Sequence, residues 1–482
     1  MALRIGTLAD QKPHREWRPQ AVTATRDVRL RLILLCHNCW MRSRLIWDHG
    51  AMAHTLDPSE GRFRDYLDRL AHAAGHEDRH EPLGAYLTGL CLPGERKSVE
   101  PMAARLDPRH VRARHQSMHH FVANAPWDDA AMLRLARDAV LDAMERHGAV
   151  AAWVVDDTGI PKKGRHSVGV ARQYCGVLGK QENCQVAVSL TLTNEAVSIP
   201  AAYRLYLPEP WAQDRKRRQA AGVPDDVRFL TKWQISLDQI DALREDGLPP
   251  APIVADAGYG VVTAYRDALT SRGVPYVVGV SEDTSVWAPG VEPLGPKRWS
   301  GQGRPPTRIR RTARRRPVSV KALSLDLPSR SWRTVSWRQG TRGKMRSRFA
   351  CVRVRPAHRD ENRHEPRAVE WLLIEWPRGE PSPTKFSLST MPADTSVAQL
   401  VRLTKLRWRI ERDYEELKDQ FGLDHYEGRG WRGFHHHGSL CIAAYAFLAA
   451  ERARLSPPEP LSFLRPAPLP RGFKPRGAAG AA

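Results

Sequence analysis

Apolar residues recur at helical spacing in the segment that follows residue 396. On a helix with 3.6 residues per turn, six of them form one core-facing stripe: Leu403, Leu406, Ile410, Tyr414, Leu417 and Phe421. A neighbouring arc of about 100° carries polar and aromatic residues: Thr404, Arg407, Trp408, Glu411, Glu415 and Lys418. The pattern predicts one long helix, opened by a capping box of Ser396 and Gln399. It holds a carboxylate between two cations beside a buried face, although a surface helix with ordinary ion pairs has the same spacing.

Upstream, the pattern changes from helical to alternating. Residues 62–146 have helical spacing. Residues 185–193 and 197–207 alternate around Asn194-Glu195 and predict a hairpin. The remaining apolar runs predict short buried strands over 149–157, 253–256 and 276–280, with helices over 233–244 and 261–271. This order of strands and helices predicts an α/β fold with a ribonuclease H-like mixed sheet flanked by helices.

Composition points to a polyanionic partner. The 482 residues include 75 Lys and Arg against 53 Asp and Glu, a formal net charge of +22. A surplus of this size favours nucleic acid as the partner, although a uniformly basic surface has the same composition. The hydrophobic content of 41% is sufficient for a sizeable core.

Shifts in composition divide the chain into five regions. Residues 1–55 are an Arg-rich extension of uncertain status, since either Met1 or Met52 could be the true start. Residues 56–146 form a helical region and are the candidate for recognising DNA. The ribonuclease H-like domain comprises residues 147–282 and 371–452. Residues 283–370 are a β-rich insertion with strand-like runs and a basic loop that contains Arg310, Arg311 and Arg314. Residues 453–482 are a Pro- and Gly-rich tail.

Cysteine usage and hydropathy bear on the compartment. Seven cysteines, thinly spread, do not form a disulfide framework and favour a reducing cytoplasm. Cys36 and Cys39 form a lone C-x-x-C without a second pair at zinc-finger spacing. The longest apolar run, Leu440 to Ala450, is too short to cross a bilayer and predicts a buried helix. We therefore expect a soluble cytoplasmic protein without a membrane partner.

Acidic residues follow two of the predicted strands. Trp153-Val154-Val155 leads into Asp156-Asp157-Thr158, and Ile253-Val254-Ala255 leads into Asp256. Carboxylates at strand ends beside a helix acid such as Glu411 cost desolvation energy unless a cation compensates them. Two Mg²⁺ ions suit such a trio, because hard ions prefer carboxylate, water and phosphate oxygens.

On these residues the chain resembles the DDE transposases of bacterial insertion sequences. The resemblance is to the branch whose third acid lies in a Tyr-x-x-Arg-x-x-x-Glu-x6-Lys signature. Arg407, Glu411 and Lys418 match it at that spacing, and Asp157-Thr158 and Asp256 match the first two acid motifs. The resemblance covers roughly residues 60–475 and includes four further similar blocks: Pro161-Lys162-Lys163-Gly164, Arg172-Gln173-Tyr174-Cys175-Gly176, Gly179-Lys180-Gln181 and Trp431-Arg432-Gly433-Phe434-His435-His436-His437.

The resemblance implies an endonuclease and DNA strand transferase. Asp157, Asp256 and Glu411 would be the catalytic acids and hold two Mg²⁺ ions, with Mn²⁺ as an alternative. The enzyme would hydrolyse the transposon end, and the freed 3′-hydroxyl would then attack target DNA. The implied partners are double-stranded DNA and a second copy of the chain in a homodimeric synaptic complex, in a bacterial, nucleoid-associated setting. Expected DNA contacts come from eight cations: Arg407, Lys418, Lys162, Lys163, Lys180, Arg310, Arg311 and Arg314.

The residues are compatible with several alternatives. Thr404 occupies the position of the signature Tyr, so an aromatic contact to DNA is missing or comes from Trp408, Trp287 or Trp299. Asp156 and Asp157 face opposite sides of a strand; Asp157 is chosen because the family acid precedes Thr, with Asp156 supporting it. The histidines at 435–437 precede the buried helix at Leu440, and structural or DNA-proximal roles are favoured over metal binding. The rival functions are a DNA-binding protein derived from a transposase but catalytically inactive, and a stand-alone ribonuclease H-like nuclease.

Overall fold

The N-terminal part of the structure is helical. The computed structural model describes residues 58–340 and 343–456. Its first five helices are α1 (Pro58–Ala74), α2 (His80–Cys91), α3 (Val99–Leu106), α4 (Val111–Ala123) and α5 (Asp129–Glu145). Their apolar stripes are buried; Leu87, Met102 and Val140, for example, are almost fully covered. The prediction of a helical region over 62–146 is confirmed.

Within the described residues, twelve strands form one mixed sheet. The strands β1–β6 are Ala152–Pro161, Ala171–Cys175, Lys180–Thr193, Ser198–Leu205, Ile253–Ala255 and Tyr276–Val280. The strands β7–β12 are Ser285–Trp287, Val318–Ser319, Arg333–Gly340, Gly343–Pro356, Glu370–Trp376 and Lys385–Ser389. The order is β2-β3-β1-β5-β6-β12-β11-β10-β7-β8, with β4 on β3 and β9 on β10. Strands β1, β5 and β6 are parallel to one another, and the other pairings are antiparallel. The predicted ribonuclease H-like α/β class is confirmed.

Helices follow the central strands. They are α6 (Glu209–Gln213), α7 (Arg215–Ala220), α8 (Lys232–Glu245), α9 (Ala257–Gly260), α10 (Thr263–Ser271) and α11 (Val320–Leu325). The predicted hairpin of β3 and β4 and the predicted helices α8 and α10 are confirmed. The prediction that the first acidic strand ends at Asp157 is wrong, because β3 pairs with β1 as far as Pro161. Only the partner on the other side, β5, stops pairing at Val155.

The strands of residues 283–370 continue the same sheet. β12 pairs with β6 on one side and with β11 on the other, so β11 and β10 extend the ribonuclease H-like strands without a break. Trp287 on β7 is buried at the far end of this extension. The domain boundaries proposed from composition remain a prediction. Backbone hydrogen bonds between β10 and β11 nevertheless connect residues on the two sides of the proposed boundary at residue 371.

Three helices complete the described chain: α12 (Val397–Lys405), α13 (Trp408–Asp419) and α14 (Trp431–Leu455). The capping box of Ser396 and Gln399 is present. The predicted single long helix is instead two helices, because a tighter turn at Leu406–Arg407 replaces the α-helical hydrogen bonds with bonds from Arg409 to Leu406 and from Ile410 to Arg407. The six residues of the predicted apolar stripe are nevertheless all buried.

The buried helix predicted at Leu440 is confirmed, but it begins at Trp431. The histidines 435–437 therefore lie inside it and do not precede it. No helix within residues 58–340 and 343–456 is long and apolar enough to cross a membrane. The predictions for residues 1–55, for Cys36 and Cys39 and for the tail beyond Pro457 lie outside the described residues.

Candidate active site

The acids of the first two motifs lie side by side where β1 and β5 separate. The parallel register pairs Val155 with Ala255, so Asp156 and Asp256 follow the last paired positions of the two strands. Asp256 is the N-cap of α9, and its carboxylate accepts the N–H of Gly258 at 2.9 Å. Asp157 lies one residue further along β1, paired with Val188 of β3. The sheet alone thus brings three carboxylates to one edge.

Helix α13 brings the third acid motif to the same place. Its buried face, which includes Ile410 and Leu417, packs into the core. The Tyr414 hydroxyl donates to Ser189, which pairs with Asp156 across β1 and β3. Because this face is fixed, the neighbouring face of α13 presents Glu411 towards the strand acids. The apolar face of α13, which the sequence pattern predicts, therefore positions the Glu411 carboxylate on the neighbouring face.

Two cations hold these carboxylates. The Arg407 guanidinium donates to Asp156 Oδ2 at 2.7 Å and to Glu411 Oε1 at 3.1 Å, so it bridges β1 and α13. The Lys232 ammonium donates to Asp157. Lys232 is the first residue of α8, and the preceding Thr231 forms a capping box with Gln234 that fixes this helix end. Adjacent acids on β1 thus have different basic partners.

The four carboxylates and these two cations line one cavity of about 890 Å³. It contains both strand acids of the first motif, Asp256, Glu411 and Arg407, and it also contains Lys232 and Lys418. The Lys418 ammonium donates to the carbonyl of Gly159 at 3.0 Å, which ties the C-terminal half of α13 to β1. The structure therefore places Asp157, Asp256 and Glu411 in a single concave site.

Burial and like charges shift the pKa values in this cavity. Desolvation raises the pKa of Asp156 to about 7; Arg407 opposes the shift, and Asp256 and Asp157 add to it. Burial likewise raises the pKa of Tyr259 well above its usual value, with further contributions from the three aspartates. Burial lowers the pKa of Lys418. The site is an anionic cluster whose charge the protein compensates only in part.

The chemistry of the donor set suits a hard divalent cation, since every acid offers carboxylate oxygens. Within the described parts of the chain, however, no three His, Cys, Asp or Glu side chains already stand in a metal-holding arrangement. Asp156 and Glu411 are turned to Arg407, and Asp157 is turned to Lys232. The residues fit a divalent ion provided that these ion pairs open to admit it.

The other cations expected to contact DNA are dispersed. Lys162 donates to the carbonyl of Tyr426 at 2.7 Å and lines a separate cavity of about 440 Å³. Lys163 is exposed, and Lys180 is paired with Glu182 at 3.4 Å. The arginines of the basic loop differ in their partners. Arg311 forms ion pairs with Asp360 and Glu361. Arg314 is exposed, and Arg310 donates to the carbonyl of Gly295.

The tryptophans considered as replacements for the signature aromatic residue differ in exposure. Trp287 is buried and donates to Asp360, so it is a core residue. Trp299 is half exposed in the basic loop. Trp408 lines a neighbouring cavity that also contains Asp256 and Glu411, and the Arg338 guanidinium stacks on its ring at 3.9 Å. Trp408 is therefore the one of the three that lies beside the acids.

Sequence reasoning missed Lys232 and the hydrophobic rim of the cavity, formed by Tyr174 and Val177. A signal for Lys232 existed: Thr231-Lys232-Trp233-Gln234 is a capping-box pattern, which places this lysine in the first turn of a helix. Nothing local indicated that this helix end would face β1. Its pairing with Asp157 depends on tertiary packing.

The three consecutive histidines lie on three different sides of α14. His435 donates to the carbonyl of Trp431 at 2.9 Å and accepts the N–H of Leu205 at 3.2 Å. The ring of His436 stacks on Trp127 with centroids 3.6 Å apart. His437 accepts from Tyr86 and donates to Gly422, each at 2.9 Å. All three are buried and join separate elements to α14. Such contacts are those of a structural role, one of the two roles favoured from the sequence.

Comparison with known proteins places this architecture in a family. The family model described as DDE superfamily endonuclease matches residues 66–344, which is more than half of the chain. The chain therefore belongs to the DDE superfamily of endonucleases, a group that works with divalent metal ions. The match ends before Glu411, so the third acid rests on the signature spacing and on the geometry above.

A particular relative agrees with this assignment. The chain is 31% identical over 166 residues to the probable transposase for insertion sequence element IS701 of Microchaete diplosiphon. The aligned part is 34% of this chain and 40% of that relative. The similarity thus spans well under two thirds of the relative's length.

Proposed function

We propose that this protein is the transposase of a bacterial insertion sequence, which cleaves transposon-end DNA and joins the freed 3′-hydroxyl to target DNA. The observation that carries the proposal is the meeting of Asp157, Asp256 and Glu411 in one cavity of a DDE-family chain. The name of the IS701 relative and the net charge of +22 support DNA as the substrate. Its place of action would be the bacterial nucleoid.

Asp157, Asp256 and Glu411 would hold two Mg²⁺ ions, or Mn²⁺ in their place, with Asp156 adjusting the charge beside them. When bound, such ions activate the attacking oxygen and stabilise the leaving oxygen of a phosphodiester. The protein's own contribution is to fix one acid on β1, one at the start of α9 and one on α13. Their backbones are tied together by the sheet and by the Lys418 bond to Gly159.

The basic groups of the cavity supply the phosphate contacts. Arg407 bridges Asp156 and Glu411 before DNA binds, and its planar guanidinium is suited to bidentate contact with a phosphate. Lys418 would act as a point charge on the neighbouring phosphate. Outside the cavity, Lys162, Lys163, Lys180, Arg310 and Arg314 would follow the backbone without reading bases. Arg311 is the weakest of the predicted contacts, since Asp360 and Glu361 already neutralise it.

The test is cleavage and joining with DNA taken from both flanks of the reading frame, where terminal inverted repeats are expected. With Mg²⁺, the wild-type protein should nick the end fragment and join it to a plasmid. Asp256→Asn and Glu411→Gln should abolish both reactions and keep DNA binding. Glu415→Gln is the matched control, because Glu415 lies one turn further along α13 and lines the same cavity.

The outcomes separate the rival functions. Cleavage without joining would indicate a stand-alone nuclease, and binding without cleavage by the wild-type protein would indicate an inactive derivative. Full cleavage by Glu411→Gln would remove Glu411 from the site. A synaptic complex requires two bound ends, so sedimentation with end DNA should show a dimer of the chain.

A further inference from the structure

The tip of the β2–β3 hairpin is hydrophobic and exposed. We define it by Tyr174, Val177 and Leu178, residues that are 59%, 59% and 43% exposed. Large apolar side chains elsewhere in the described chain are exposed singly, as at Leu325 and Val369. Isolated exposed hydrophobic residues are ordinary, whereas a cluster of them marks a binding surface. The tip is such a cluster, within five consecutive positions.

The tip is held in place by its base. β2 pairs with β3 from Ala171–Cys184 to Cys175–Lys180, and Gly179 closes the turn with a left-handed φ of 62°. Cys175 is buried against Gly159 of β1, where a Cβ would lie only 2.7 Å from its sulfur atom. This close approach presses the end of the hairpin onto the strand that carries the acids. The tip is therefore a fixed projection from the catalytic sheet.

The tip forms part of the wall of the acid cavity. Tyr174, Gly176 and Val177 line it together with Asp157 and Asp256. Basic residues flank the tip in sequence, Arg172 on β2 and Lys180 on β3. An apolar projection between cations is the pattern by which proteins insert side chains between base pairs while binding phosphates on either side. A protein partner would not explain why the tip adjoins a site for cleaving DNA.

We propose that Val177 and Leu178 are an apolar wedge that enters the base stack of bound DNA beside the cleavage site, with Tyr174 stacking on the base that is displaced. This inference rests on the proposed function, because it requires DNA over the acid cavity. Unstacking neighbouring base pairs costs free energy, which burial of the exposed apolar side chains and bending of the DNA towards the protein would offset. The bend would bring the scissile phosphate into the cavity.

The experiment measures base unstacking without cleavage. A short duplex carries 2-aminopurine at several adenine positions, and the protein is added in EDTA so that no strand is cut. Fluorescence anisotropy of a terminal dye reports binding. We expect the wild-type protein to raise the 2-aminopurine fluorescence about threefold as bases unstack. The double variant Val177→Ser/Leu178→Ser should bind and give no rise.

Controls keep the result specific to the tip. Leu325→Ser alters another exposed leucine, on α11, and should behave like the wild type. Leu178→Phe keeps a large apolar group and should retain the rise in fluorescence. Because the tip side chains are exposed, their replacement should leave the circular dichroism spectrum unchanged.

Three outcomes would overturn the wedge. The first is binding by the wild-type protein with no rise in fluorescence, and the second is an undiminished rise with the double serine variant. The third is a change of oligomeric state in that variant while unstacking persists, which would make the tip a contact between copies of the chain. If anisotropy shows no DNA binding at all, the proposed function itself fails, which is a separate result.

Discussion

Helices α13 and α14 both carry polar motifs, and they use them in opposite ways. On α13, Glu411 is largely exposed, lines the cavity and pairs with Arg407. On α14, the histidines 435–437 are buried and contact groups from other elements. The Glu411 carboxylate on α13 is accessible to a ligand, whereas the histidines on α14 are already packed and hydrogen-bonded within the protein. A run of polar residues is thus a functional site only where the fold leaves its atoms accessible.

The regions around α13 and α14 also differ in charge. In the cavity beside α13, burial and, to a smaller extent, repulsion from Asp256 and Asp157 raise the pKa of Asp156 to about 7. Around α14, burial lowers the pKa values of His436 and His437 to about 4, so both rings are neutral at physiological pH. A cation bound beside α13 would offset the repulsion between the acids, whereas His436 and His437 on α14 carry no charge to be compensated.

The largest expected effect is on the cleavage rate, and it shows which acid of β1 is a metal ligand. Asp157→Asn should lower the cleavage rate about 1,000-fold, equal to about 4 kcal/mol, if Asp157 is a metal ligand. Asp156→Asn should cost about tenfold, because it alters only the local charge and the contact to Arg407. Rates are compared at saturating Mg²⁺ on end DNA. A larger loss for Asp156→Asn would transfer the ligand role to that residue, which the Arg407 bridge already joins to Glu411.

The next largest effect is on stability and concerns the buried histidines of α14. His437→Ala should lower the free energy of unfolding by about 3 kcal/mol, because it leaves a cavity and strands the Tyr86 hydroxyl and the Gly422 carbonyl. Urea unfolding provides the measurement, with exposed His120→Ala on α4 as the control. Equal stability of the two variants would show that the buried histidine is dispensable for packing.

The stability contributed by the buried histidines of α14 should depend on pH. Since the pKa values of His436 and His437 are lowered in the folded state, their stabilising contribution is complete above about pH 6.5. It is lost as the pH falls through about 4, because the unfolded chain binds protons there more readily. Each ring accounts for a contribution on the order of 3 kcal/mol. Wild-type stability should therefore fall over this interval, and His437→Ala should fall less steeply.

The smallest effect concerns Lys232, whose ammonium occupies a carboxylate that a metal ion would need. Lys232→Met should raise the affinity for Mn²⁺ about tenfold, or about 1.4 kcal/mol, because the competing cation is removed from Asp157. Titration followed by electron paramagnetic resonance, without DNA, measures this directly. Lys163→Met, at an exposed lysine outside the cavity, is the control. An unchanged affinity would mean that Lys232 does not compete with the ion.

Local patterns predicted much of the fold. The stripe from Leu403 to Phe421 predicted a buried helical face, and period-two alternation predicted β3 and β4; both hold. The pattern did not predict the break at Arg407, because apolar periodicity survives a single tight turn. It also missed β2, a five-residue strand whose alternation is short. The end of β1 was misjudged because pairing with β3 continues beyond the apolar run.

The sequence by itself determined the family, the two faces of α13 and the carboxylates offered to a divalent ion, because these depend on residue type and short-range spacing. The structure alone decided that Arg407 bridges Asp156 and Glu411, that Lys232 pairs with Asp157 and that the β2–β3 tip projects beside them. The contacts of Lys232 with Asp157 and of Arg407 with Asp156 join positions 75 and 251 residues apart. They depend on strand pairing and on which helix end the packing brings to the sheet, and no local pattern encodes either.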